Sequence, residues 1–88
     1  MQTYTIQGQT VAQITLPRPG DDDPHPSLML GGPDGDRIPT GYGFTAWLPT
    51  GWTDIRLEMR WETEGPGCWY VPGHPGLCPV GLFVKVKV

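Results

Sequence analysis

The segment CWYVPGHPGLC, residues 68–78, holds the two cysteines of the chain and with them its most reactive side chains. Cys68 and Cys78 lie symmetrically about Gly73, so a hairpin with its tip at this glycine would place them opposite each other. A cross-strand disulfide is then geometrically possible after a small local adjustment. The alternative is two reduced thiols that pack as small apolar groups. The sequence leaves both open, because two cysteines do not identify the redox compartment.

Metal binding would need ligands beyond the two cysteines. His74 lies between them in a Cys-x5-His-x3-Cys spacing, and His25 could complete a set of four. Structural zinc sites generally use paired ligands two to four residues apart, however, and this chain has no Cys-x2-Cys knuckle. Asp21 to Asp23 and the segment GGPDGD at 31–36 offer carboxylates for calcium without an EF-hand pattern, and Pro-Asp-Gly is also a common turn. We expect no metal and no other cofactor.

The sequence contains few residues that could act as a catalytic nucleophile. Ser27 is the one serine of the chain, and no Gly-x-Ser-x-Gly elbow or phosphate-binding loop surrounds it. Glu58 and Glu62 alternate with Arg56 and Arg60, which is typical of an exposed ion-pair ladder on a strand. The sequence predicts a protein that is not an enzyme.

Composition favours one compact domain over residues 1–88. Gly and Pro number 13 and 11, but nine aromatic residues, four of them Trp, can bury enough apolar surface to offset chain entropy. A net charge of −3 disfavours nucleic acid as a partner. The absence of a long apolar run predicts no membrane association. The absence of a signal-peptide pattern at the N-terminus favours a cytoplasmic or virion-associated protein, but the mature form of a secreted protein would look the same, so the localisation stays open.

Alternation with a period of two identifies the strands that would position these residues. In 52–64, Ile55, Leu57, Met59 and Trp61 alternate with charged residues, so this longest stretch without Gly or Pro is predicted to be a strand whose apolar face, Trp61 included, lies in the core. Further strands are predicted at 42–48, 68–71 and 80–88. Because the connections are short, we expect 41–88 to form an antiparallel meander.

The C-terminal strand is predicted to lie at the edge of its sheet. Val80, Leu82, Val84, Val86 and Val88 share one face, while Lys85 and Lys87 alternate with them, and lysines on an edge strand discourage unwanted pairing. An edge of this kind could still accept a strand from a partner or a sister subunit.

A hairpin is predicted over residues 3–16, with Gly8 at the first central position of a type II′ turn. Residues 17–40 are rich in Pro, Gly and Asp and are predicted to form a long surface loop held by Leu28 and Leu30. Together these elements predict an all-β fold, a small antiparallel sandwich or partly open barrel of about six strands.

Aromatic residues on the predicted outer faces and strand ends suggest a binding surface, since Trp and Tyr are enriched in protein interfaces. We expect a protein partner or self-association, as in an assembly or decoration piece of a phage or other mobile element. Two alternatives stay open: a small inhibitor that blocks a host protein, and a glycan-binding module. The candidate contact residues are Trp47, Trp52, Trp69, Tyr70, Leu28 and Met29.

Overall fold

The structure, a computed structural model, describes residues 1–19 and 24–87. Nine short strands and one turn of 3₁₀-helix account for its regular structure, and no α-helix occurs in the described part. The predicted all-β class with an antiparallel sheet is therefore confirmed. No described segment forms a helix long and apolar enough to cross a membrane. The strands are β1 (Tyr4–Ile6), β2 (Gln9–Thr15), β3 (Leu28–Leu30), β4 (Asp36–Ile38), β5 (Gly43–Leu48), β6 (Gly51–Arg56), β7 (Glu58–Met59), β8 (Trp69–Tyr70) and β9 (Phe83–Lys85).

The main sheet has the strand order β4-β3-β2-β9-β5-β6, and β1 pairs with β2 alongside this path. β7 and β8 form a separate two-stranded sheet. The C-terminal strand β9 thus lies between β2 and β5, so the prediction of an edge strand bearing Lys85 and Lys87 is wrong. The predicted meander over 41–88 is also wrong beyond the β5–β6 hairpin, because the chain leaves the main sheet after β6 and returns to its centre.

The N-terminal hairpin is confirmed, but its turn lies one residue earlier than predicted. Ile6 pairs with Gln9, so the two central residues are Gln7 and Gly8. Their φ angles are 49° and 75°, and positive φ at both positions is characteristic of a type I′ turn rather than type II′. Gln7 is the one described non-glycine residue with positive φ, which makes this turn a point of local backbone strain.

Replacing Gln7 by Asn is expected to stabilise the protein, because Asn tolerates the left-handed region and Asn-Gly is the preferred type I′ pair. We expect a gain of about 0.5–1 kcal/mol and a rise in melting temperature of a few degrees. Thermal unfolding followed by circular dichroism measures it. Gln9→Asn, one residue beyond the turn, is the matched control. An unchanged or lower melting temperature for Gln7→Asn would contradict the assigned turn.

Residues 17–40, predicted as a loop, contain an antiparallel hairpin of β3 and β4. β3 pairs with the C-terminal end of β2, and Leu28 and Leu30 are buried as predicted. The Pro-Asp-Gly sequence lies in the connection between the two strands. There the exposed Asp34 carboxylate accepts a hydrogen bond of 2.6 Å from Arg18 Nε, and this bond lowers the pKa of Asp34. The sequence did not predict the two strands within this surface loop, because three-residue strands carry almost no periodicity.

The core lies on one side of the main sheet, the inner face, which is defined by Ala12, Ala46, Ile55 and Val84. All four are less than 7% exposed. The inner face packs against β8 and the segment around it, whose Cys68, Trp69 and Val71 belong to the same core cluster. The described part of the chain is therefore one main sheet whose inner face is covered by a small layer that includes β8 of the second sheet.

The burial of two tryptophans is the reverse of the prediction. Trp61, predicted to lie in the core, is 66% exposed, because the strand ends at Met59 and the chain turns through 60–63. Trp69, predicted as a surface contact, is 4% exposed, and its Nε1 donates a hydrogen bond of 2.7 Å to the carbonyl oxygen of Pro26.

Candidate functional site

The side of the main sheet that points away from the core carries a row of aromatic side chains. Side-chain alternation along the strands assigns these aromatic residues to one face. Trp47 is next to Ala46 of the inner face and is directly opposite Trp52, so both tryptophans point away from the core. Ala46 pairs with Val84, so Phe83 and Lys85, the neighbours of Val84, also point away from the core. The same parity continues through β2 to β1, where Val11 pairs with Tyr4. We call this surface the outer face and define it by Tyr4, Val11, Gln13, Thr45, Trp47, Trp52, Asp54, Phe83 and Lys85.

Direct contacts link these aromatic side chains in pairs. The rings of Trp47 and Trp52 lie 4.9 Å apart between centroids and are tilted by 58°. Tyr4 meets Phe83 edge to face at 5.5 Å. Lys85 places its Nζ 4.7 Å from the centroid of the Trp52 ring, a cation–π contact that holds the lysine across the aromatic row. All five side chains remain at least partly exposed.

Val11 shows that the outer face has an apolar cluster of its own. Its side chain is fully buried, yet it does not belong to the core cluster on the inner face. Across the strands it faces Tyr4 on one side and Lys85 on the other. The aromatic row therefore packs on a fully buried apolar side chain, which holds the aromatic side chains in place on the surface.

A cleft next to the aromatic row carries the charges of this region. It has a volume of about 660 Å³ and is lined in part by Lys85, Lys87 and Asp54. The Asp54 carboxylate accepts a hydrogen bond of 2.8 Å from the hydroxyl of Thr45, its cross-strand neighbour. Two ammonium groups and one hydrogen-bonded carboxylate therefore line the cleft, and Lys85 connects it to the Trp52 ring.

The structure brings together only some of the residues that the sequence singles out. Trp47 and Trp52 share the outer face with Lys85, and Lys87 lines the adjoining cleft. Leu28 is fully buried, as Trp69 nearly is, so neither can contact a partner. Tyr70 lies in the second sheet, where the Arg60 guanidinium is 4.4 Å from its ring centroid. Met29 is partly buried in β3.

Two outer-face residues were missed at the level of sequence, Tyr4 and Phe83. Both sit in short strands. Phe83 is out of phase with the buried Val84 of β9, whereas β1 has no buried position against which the face of Tyr4 could be assigned. Their meeting depends on β9 lying beside β2, a pairing between opposite ends of the chain that no local pattern indicates.

The exposed Trp61 borders a second, separate depression of about 460 Å³ beside β4. Its ring is 5.0 Å from that of His25, and His25 Nε2 lies 2.9 Å from the Trp61 carbonyl oxygen. Ser27 accepts a hydrogen bond of 2.8 Å from Arg37 Nε at the same place. The His25 contacts join the segment 24–27 to the turn after β7, and the Ser27 contact joins it to β4, so His25 and Ser27 both have structural roles.

Of the two alternatives that the sequence leaves open for the cysteines, the structure has the two free thiols. Cys68 is buried, Cys78 is exposed, and the two are not bonded to each other. The reason is that 68–78 is not a hairpin: β8 pairs with β7, and the following residues form successive turns closed by His74 N to Val71 O and Leu77 N to His74 O. Within residues 1–19 and 24–87, no group of three or more His, Cys, Asp or Glu side chains could hold a metal ion. The calcium candidates Asp21 to Asp23 lie outside the described residues.

Comparisons with known proteins do not extend this description: no protein family, curated protein or solved structure matches the chain.

Proposed function

We propose that this protein is a non-enzymatic binding module that contacts a protein partner through the outer face. The observation that carries the proposal is the aromatic row, because it places Tyr4, Trp47, Trp52 and Phe83 on the side of the sheet that the core does not use. Partly exposed Trp and Tyr that are fixed on strands can contribute large contact areas with little loss of side-chain entropy on binding.

The charges next to the row indicate the chemistry of the partner. Lys85 and Lys87 supply two cations, while Asp54 is engaged by Thr45. This local excess of positive charge contrasts with the net charge of −3 of the whole chain. A protein surface with an apolar centre and carboxylates at its margin would be complementary to this region, because opposite potentials favour encounter and exclude wrong partners.

Ring geometry favours a protein over a glycan as the ligand. A glycan-binding platform built from several aromatic rings needs them coplanar, whereas the ring planes of Trp47 and Trp52 are inclined to each other by 58° and those of Tyr4 and Phe83 by 89°. Tilted and edge-on rings suit the irregular side chains of a protein partner. Both an assembly component and an inhibitor of a host protein would use the face in this way, and the identity of the partner distinguishes them.

Charge reversal at the centre of the face tests the proposal. Immobilised protein captures partners from the producing cells, and the purified partner is then titrated by calorimetry against the wild type, Lys85→Glu and Trp52→Ala. We expect each variant to raise the Kd about tenfold or more, since both remove contacts from the middle of the interface. Arg37→Glu on β4 is the matched control and is expected to change the Kd less than about twofold.

Equal Kd values for wild type and both outer-face variants, with thermal unfolding showing that all are folded, would contradict the proposal. A single-stranded oligonucleotide and a set of oligosaccharides are titrated in parallel with tryptophan fluorescence as the signal. Saturable binding of either one, lost in Trp52→Ala, would replace a protein partner by that ligand class.

A further inference from the structure

Strands β5 and β9 are neighbours in the main sheet, but they separate at one end. In the described part of the chain, Ala46 opposite Val84 is the one residue pair that joins them. Beyond this pair, residues 42–45 and 85–87 line the cleft of about 660 Å³ beside the aromatic row. The cleft is therefore an opening in the sheet itself, and we call it the sheet opening.

Main-chain groups on both sides point into the sheet opening. β5 pairs with β6 through its even-numbered residues, since Leu57 N donates to Tyr42 O, so its odd-numbered residues face β9. Val86 N donates to a carbonyl oxygen of β2, so the next residue, Lys87, faces β5. Gly43 and Lys87 would be partners if the pairing of β5 with β9 continued, but no main-chain hydrogen bond joins them.

Gly43 leaves room for a further backbone in the sheet opening. Within 4 Å, a Cβ on this residue would meet only the carbonyl oxygen of Ile55, at the ordinary contact distance of 3.6 Å, and its φ is outside the left-handed region. The fold of the chain itself therefore does not require a glycine at this position. A glycine within a strand often marks a place where another backbone approaches closely.

The two sides of the sheet opening differ in their chemistry. On the inner side, Phe44 and Val86 pack against the core cluster, and Leu30 lines the cleft with them. On the outer side lie the ammonium groups of Lys85 and Lys87. Successive side chains of an extended segment point to opposite faces of a sheet. A strand in the opening would therefore match it with apolar side chains on one face and carboxylates on the other.

We propose that the protein partner inserts an extended segment of alternating apolar and acidic residues into the sheet opening. This inference rests on the proposed function, because it names the part of the partner that enters the cleft beside the outer face. Asp54 also lines the cleft, but its carboxylate accepts the hydrogen bond from the Thr45 hydroxyl, and the two lysines outnumber it. The local charge therefore favours a segment with carboxylates.

The parity of Gly43 specifies how the segment pairs. This residue has the same parity as Thr45 and Trp47, whose side chains belong to the outer face. Residues directly opposite each other on neighbouring strands share a face, so an acidic residue of the segment pairs with Gly43. Its N–H and C=O groups then bond to the main chain of Gly43, while the flanking apolar side chains point to the inner side.

Synthetic peptides test this pairing without the partner itself. The probe is a fluorescein-labelled peptide with the central sequence Leu-Glu-Leu-Glu between short Gly-Ser ends, and its binding is followed by fluorescence anisotropy. We expect saturable binding with a Kd of about 1 mM or lower. Three changes of the peptide are each expected to weaken binding about tenfold or more: Lys in place of Glu, the rearranged sequence Leu-Leu-Glu-Glu, and methylation of the main-chain nitrogens of both glutamates.

Variants of the protein locate the bound peptide. Gly43→Val fills the mouth of the sheet opening, Val86→Thr makes its inner wall polar, and Lys87→Glu reverses a charge on its outer side. Each is expected to raise the Kd about fivefold or more, and thermal unfolding checks that each is folded. Arg60→Glu is the matched control for the charge change, because Arg60 lies on the Tyr70 ring of the second sheet and should leave the Kd within about twofold.

The proposal would be overturned by a probe that does not bind up to millimolar concentration, by equal binding of the alternating and rearranged peptides, or by a Kd that none of the three variants changes. Dodecanoate is titrated in parallel, and saturable binding of this amphiphile without binding of the probe would also overturn it. Failure here is distinct from failure of the proposed function, because Trp52→Ala tests the aromatic row with the captured partner, and none of the three variants changes a side chain of that row.

Discussion

Trp69→Ala is expected to lower the free energy of unfolding by about 3–5 kcal/mol, a large share of the stability of a domain of this size. The side chain is 4% exposed and belongs to the core cluster, so its removal leaves a cavity beneath the main sheet. It also removes the hydrogen bond from Nε1 to the Pro26 carbonyl oxygen, which ties the segment 24–27 to β8. Urea denaturation measures the loss.

Two variants separate the causes of this loss. Trp69→Phe keeps most of the ring volume and removes the hydrogen bond, so it is expected to cost about 1–3 kcal/mol. Trp61→Ala removes the same type of side chain from a position that is 66% exposed, and it should change stability by about 0.5 kcal/mol or less. If Trp61→Ala were the more damaging of the two alanine variants, the arrangement of residues 60–69 described above would be wrong.

Gly35→Ala is expected to destabilise the protein by about 1–3 kcal/mol, for a reason that concerns backbone rather than burial. A Cβ at this position would lie 1.9 Å from the carbonyl oxygen of Leu30 and 2.8 Å from its carbonyl carbon. Both are main-chain atoms of the β3–β4 hairpin, so the clash can be relieved only by moving that backbone. Leu28 and Leu30 would be drawn with it, and thermal unfolding should show a melting temperature lower by several degrees.

Gly67→Ala is the matched control for this substitution. Nothing lies within 4 Å of a Cβ built on Gly67, and its φ is not in the left-handed region. We expect a change of about 0.5 kcal/mol or less. Equal melting temperatures for the Gly35 and Gly67 variants would contradict the close approach of residue 35 to Leu30, and with it the hairpin in 28–38.

The strands of the β5–β6 hairpin could be read from the sequence because side-chain alternation there is long and regular. Phe44, Ala46 and Leu48 alternate with residues of the outer face, and the two-residue connection Pro49-Thr50 sets the register. Because the two-residue alternation and the turn length are both clear from the sequence, they determine the side of the sheet to which Trp47 and Trp52 point. This is why half of the aromatic row was predictable.

The other differences arise where alternation does not determine the outcome. The alternation of apolar and charged residues from Ile55 to Trp61 continues beyond Met59, where the strand ends. It therefore predicted a buried Trp61, whereas this residue is exposed in the turn that follows the strand. The place of β9 depends on a pairing with β2, which is about seventy residues away in the chain. Its lysines resemble the protection of an edge, but in the centre of the sheet Lys85 instead lies over the ring of Trp52.

The outer face as the partner-binding surface is tested most directly by the four indole N–H signals in an ¹H–¹⁵N correlation spectrum, recorded during titration with the captured partner. Trp47 and Trp52 report on the outer face, Trp61 on the depression beside β4, and Trp69 on the core. We expect the signals of Trp47 and Trp52 to shift or broaden while those of Trp61 and Trp69 stay in place. A spectrum in which Trp61 alone responds would contradict the account and move the binding surface to the depression beside β4.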